Sequence, residues 1–75
     1  MPHRMTKSDL ADRVREVRTE QGLTQQEVAD RLGKTIQAVS KAENYTPKDG
    51  MTGFRITILE ELTGEEVRGP LYEMD

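Results

Sequence analysis

Gly33 constrains this chain more than any other residue. It stands between two short runs, "TQQEVADRL" and "KTIQAVSKAEN", each with apolar residues at helical spacing. Thr24 and Glu27 form a T-x-x-E capping box, so the first run starts a helix whose buried face is Val28, Ala29 and Leu32. Thr35 caps the second run, whose inward face is Ala38, Val39 and Ala42. A turn this tight requires positive φ, which glycine adopts without steric penalty. Helices joined so closely cross steeply, and the small Ala29 lets them approach. The opposite face of the second run then reads Ile36, Gln37, Ser40 and Lys41, a reachable mixture of groups that can meet base edges. An ordinary helical hairpin has no need of that face.

The flanking residues predict two more helices. Ser8 suits an N-cap, with Asp9 and Asp12 in a first turn that favours anions. Leu10, Val14, Val17 and Gln21 follow at helical spacing, and Ala11 widens the stripe. Gly22 ends that helix in the left-handed conformation, and Leu23 enters the core. Asn44 is the expected left-handed terminator of the helix after Gly33, and residues 45–50, "YTPKDG", form a loop. Met51, Phe54, Ile58 and Leu62 then predict a fourth helix stopped by Gly64. "FRITI" also alternates as a strand would, but Leu59 and Leu62 extend the helical pattern.

The ends differ from this body. Residues 1–7 lack periodicity and are expected to form a flexible arm. In the tail, Val67, Leu71, Tyr72 and Met74 are interrupted by Gly69-Pro70, so an extended segment paired along an edge is expected over 65–75. The fold class is therefore all-α: a four-helix domain over 8–64, a short arm before it and a short extended C-terminal tail after it.

Composition narrows the function. With 75 residues the chain makes one small domain, a size that often gains stability by association. Cysteine is absent, which excludes disulfides and thiolate metal sites. No apolar stretch reaches the roughly 18 residues of a membrane span, and no signal peptide is visible, so a cytoplasmic, nucleoid-associated protein is expected. A lone His3, no Gly-rich phosphate loop and little room for a cleft argue against an enzyme, a metal or a cofactor. The net charge of −3 is unevenly spread. Residues 1–44 hold eight Lys/Arg against seven Asp/Glu, whereas residues 45–75 hold three against seven. The acidic cluster Glu60, Glu61, Glu65 and Glu66 reads as a solvated face. The placement of basic side chains, not the total, decides the partner.

At "RTEQGLTQQEVADRLGKTIQAVSKAEN" the chain resembles the helix-turn-helix of the phage Cro and C1 repressors and their bacterial relatives, the XRE family. The resemblance covers about residues 10–62. It implies a sequence-specific double-stranded-DNA-binding regulator, most simply a repressor, acting as a homodimer on a pseudo-palindromic operator. It implies base contacts from Ile36, Gln37 and Lys41 on the third helix. Gln25 matches a phosphate contact, and Lys34, Thr35, Tyr45 and Lys48 are placed to join it on the DNA backbone. Arg18 and Glu43 match a pair that ties the first helix to the end of the third. Two departures stand out: the glycine usual after E-N is Tyr45, and "GEEVRGPLYEMD" replaces the usual fifth helix. Dimerisation is then expected to fall to Val67, Leu71, Tyr72 and Met74. Two rival functions share the fold. One is an antitoxin whose acidic tail covers a toxin partner. The other is an interaction module that has lost DNA binding, against which Gln37 and Lys41 stand.

Overall fold

The structure, a computed structural model, describes residues 3, 4, 6–65, 67, 68, 73 and 74, with side chains over 6–65. Its body is helical: α1 Lys7–Glu20, α2 Gln25–Leu32, α3 Ile36–Glu43 and α4 Thr52–Thr63. Three two-residue strands accompany it, β1 His3–Arg4, β2 Val67–Arg68 and β3 Glu73–Met74. They form an antiparallel sheet in the order β1-β3-β2.

Local chemistry sets the helix ends. Helix α1 begins two residues earlier than Ser8 predicts and is capped by Thr6. Thr6 Oγ1 accepts from the Asp9 N–H at 3.2 Å, and the Asp9 carboxylate accepts from the Thr6 N–H at 3.0 Å. Ser8 has Ala11 three residues on and cannot build that reciprocal box. Thr24 and Glu27 make the equivalent box for α2, at 2.9 and 3.0 Å. The chain leaves α1 and α2 through paired bonds around left-handed glycines. Leu23 N–H reaches Arg18 O and Gly22 N–H reaches Thr19 O; Lys34 N–H reaches Ala29 O and Gly33 N–H reaches Asp30 O. Gly22 and Gly33 have φ of 68° and 65°. Both turns are therefore Schellman motifs, which satisfy orphan carbonyls and reverse the chain in a few residues.

One core joins all four helices. Leu10, Val14 and Val17 of α1 meet Val28, Ala29, Val39, Ala42, Ile58, Leu59 and Leu62, all buried. Leu23, Leu32, Met51, Phe54 and Ile56 pack around them, partly exposed. Helix α1 lies chiefly on α4 and α2 chiefly on α3, so α2 and α3 project as a pair from an α1–α4 base. "FRITI" lies within α4, whose start excludes Met51 as its N-cap residue.

Other expectations change as well. Ala38 is half-buried rather than inward. Asn44 is extended, with φ −122° and ψ 98°, because its side chain rather than a left-handed backbone closes α3. Among the described residues, the non-glycine residue with positive φ is Lys48, at 62°, inside the loop. The expected flexible arm is also replaced in part: His3 and Arg4 pair with Met74 and Glu73. Two-residue strands are too short to leave an alternation in the sequence. In the tail, Val67 and Met74 lie opposite one another in the sheet. Glu66, Leu71 and Tyr72, like Met1, Pro2 and Met5, lie outside the described residues.

Candidate nucleic-acid interface

Helix α3 has only eight residues, so its ends determine where it sits. At the start, Thr35 Oγ1 accepts from the Ala38 N–H at 3.1 Å. At the finish, every one of the last four carbonyls has a donor. Asn44 Nδ2 donates to Ser40 O at 2.7 Å, and the Asn44 N–H donates to Lys41 O at 3.2 Å. Arg55 Nε donates to Ala42 O at 2.6 Å and its Nη2 reaches Lys41 O at 3.4 Å. Arg15 Nη2 reaches Glu43 O at 3.4 Å. A helix end carries partial negative charge, so two guanidinium groups there are favourable as well as satisfying.

Glu43 joins the same end to α1. Its carboxylate is 1% exposed and takes Arg18 Nε at 2.5 Å and Arg18 Nη2 at 3.0 Å. Arg18 Nη1 also donates to Leu23 O at 2.9 Å, which ties the α1–α2 turn into the group. Hydrogen bonding to Glu43 raises the Arg18 pKa above its ordinary value against the opposing effect of burial. Gln25, the first residue of α2, donates its amide to Glu43 Oε1 at 3.2 Å and is half-buried. It therefore sits beside the ion pair, with one of its two amide hydrogens committed there.

The outward side of α3 carries the remaining expected residues. Gln37 and Lys41 are exposed one turn apart, and Ile36 and Ser40 are half-buried beside them. Lys34 and Thr35 are exposed in the turn before α3. Tyr45 is 38% exposed, with its ring 5.7 Å from the Arg55 guanidinium carbon. Lys48 is exposed and lines a recess with Lys7, Tyr45, Asp49, Gly50 and Thr52. Among the residues whose side chains are described the two kinds of cation separate cleanly. Arg13, Arg15, Arg18, Arg31 and Arg55 each lie within 4.0 Å of a carboxylate, while Lys7, Lys34, Lys41 and Lys48 do not. Lys34, Lys41 and Lys48 flank or lie on the exposed face of α3. Positive charge left uncompensated there favours an anionic partner.

Sequence reasoning missed Arg55 and Asp49. The Arg55 side chain is fully buried and the Asp49 side chain 4% exposed, joined through Nη2–Oδ2 at 2.7 Å and Nη1–Oδ1 at 3.1 Å. Asp49 also accepts from the N–H groups of Thr46 and Met51, at 3.1 and 3.0 Å. These bonds, that to Arg55 foremost, hold the Asp49 carboxyl well below the usual carboxylate range. A signal was present: Arg55, Ile58, Leu59 and Leu62 share one helical face, so an arginine on a core stripe required a buried partner.

A family model described as helix-turn-helix matches residues 14–64, from the middle of α1 to the glycine that ends α4. No curated protein and no solved structure matches the chain.

Replacing Glu43 by alanine leaves Arg18 without its carboxylate. We expect a loss of about 3 kcal/mol, the low end for a broken buried pair, because Arg18 is 15% exposed and keeps Leu23 O. Urea denaturation measures it, and a transition that overlays the wild type contradicts the assignment. Asp49 gives a pH test. A carboxyl whose folded pKa is depressed adds stability above its unfolded value, about 3.9, and loses it as the pH falls toward the folded value. Asp49→Asn should therefore lower stability at neutral pH and flatten its decline below about pH 4.

Proposed function

The chain belongs to the Cro/C1-type helix-turn-helix family of DNA-binding transcriptional regulators, and we propose that it is a repressor that reads a pseudo-palindromic operator as a homodimer. The observation that carries the reading is the exposed face of α3, where Gln37 and Lys41 stand one turn apart among unpaired lysines. With α3 in the major groove, Gln37 bonds adenine N6 and N7, Lys41 reaches guanine or a phosphate, and Ile36 packs on a thymine methyl. Lys34, Thr35, Tyr45 and Lys48 take phosphates beside them. Gln25 adds another through the amide hydrogen that Glu43 leaves available.

Two-fold-related copies then read half-sites about 34–36 Å apart. The tail residues Val67, Leu71, Tyr72 and Met74 supply the contact between copies. Strand β3 is already flanked by β1 and β2, so the copies meet through an outer strand or through the face of the sheet. The acidic residues beyond the loop face away from the phosphates in this arrangement.

Gln37→Ala should cost about 1–3 kcal/mol on the preferred duplex and relax the preference at one base pair. Gln25→Ala should weaken all duplexes alike, because phosphates carry no sequence information. Mobility shifts on a duplex selected by the wild-type protein, and on a random one, measure both. Wild-type affinity in both variants would place the reading face elsewhere.

A further inference from the structure

We propose that Arg55, held by Asp49, is a positioning residue for sequence reading. It locks the last turn of α3 to the loop that follows, so that base contacts and phosphate contacts share one register. This rests on the DNA-reading role proposed for α3.

The geometry is specific to arginine. One fully buried guanidinium reaches α3 through Ala42 O and Lys41 O and the loop through both Asp49 oxygens. The acceptors lie in different directions, and only a planar fork with several N–H groups meets them together. Lys41, whose carbonyl is one acceptor, carries a side chain proposed to read bases. Tyr45 and Lys48, proposed to take phosphates, lie in the loop on the other side of the clamp. Asp49 holds that loop through Thr46 N–H and Met51 N–H, which bracket Lys48. Lys48 has φ 62°, a left-handed conformation that a non-glycine residue keeps only when its surroundings impose it.

Donating to Ala42 O stabilises the end of α3, but stability alone does not single out a buried ion pair at this place. Position 55 continues the stripe of Ile58, Leu59 and Leu62, and well-packed apolar residues often stabilise as well as a buried ion pair or better. What the apolar residue lacks is direction. It packs against α3 without fixing where the end of that helix and the loop lie relative to each other. A phosphate contact from Lys48 sets the register of the protein on the duplex, and that register helps a base only if Lys41 and Gln37 keep a fixed offset from it.

The test uses the full chain. The wild-type protein first selects its preferred duplex from a random-sequence pool. Arg55→Lys, which keeps the charge near Asp49 but loses the fork, is then compared on that duplex and on a random one, with its fold checked by circular dichroism. Affinity for the selected duplex should fall on the order of tenfold, as for a mismatched base pair, while affinity for the random duplex, set by exposed lysines, is unchanged. An equal fall on both duplexes, or no fall on either, overturns the proposal. Should Arg55→Lys fail to fold, Asp49→Asn is judged by the same ratio. Loss of fold in both variants assigns the pair to stability and overturns it as well. A wild-type protein that selects no sequence overturns the functional reading, and this inference with it.

Discussion

The C-terminal carbonyls of α3 are the constraint on which the rest of the structure depends. An eight-residue helix has no stability of its own in water, and half of its carbonyls lack an intrahelical partner. Here they are met from three directions, by Arg15 of α1, Arg55 of α4 and Asn44 beyond the helix. Glu43 adds Arg18 and Gln25 at the same place. The polar groups that satisfy this end therefore come from every other helix. The inward side of α3 needs only Val39 and Ala42 to fill the core, which leaves the outward side open to a partner.

Charge follows the same division of labour. Arg18 and Arg55 are used inside the protein, where a planar group with several donors can satisfy carbonyls and carboxylates together. Lys7, Lys34, Lys41 and Lys48 remain outside, where a point charge on a long stem suits a phosphate better than a fixed internal partner. A chain with net charge −3 can in this way present a positive face. Arg31 and Glu61, paired across α2 and α4 at 3.4 Å, show the contrasting case of cation and carboxylate cancelling on the surface.

The helical body was legible because its signals are local and dense. Thr24 with Glu27, Thr35, Gly22, Gly33 and Gly64 each act within a few residues, and all of them mark helix ends in the structure. Arg18 with Glu43 was legible only through the family pattern, since 25 residues separate them. Other features escaped for physical reasons. Thr6 outcompetes Ser8 through a reciprocal bond to Asp9 that only one of the two can make. Asn44 closes α3 with its side chain, and neither option leaves a distinct trace in sequence. The pairing of His3–Arg4 with Glu73–Met74 joins opposite ends of the chain, which no local pattern encodes. Arg55 was hidden by "FRITI", whose alternation drew attention to the choice between strand and helix rather than to a charge on the core stripe.

The central claim is that α3, with the turn before it and the loop after it, is the surface that meets DNA. Amide chemical shifts of the isotope-labelled protein, followed as a selected duplex is added, test it most directly. The account predicts that the largest changes fall at Gln25, along residues 34–41 and in the loop around Tyr45 and Lys48. It also predicts that the exposed residues of α4 around Thr57 and Glu61 change little. Changes centred on α4, with α3 unperturbed, would contradict it.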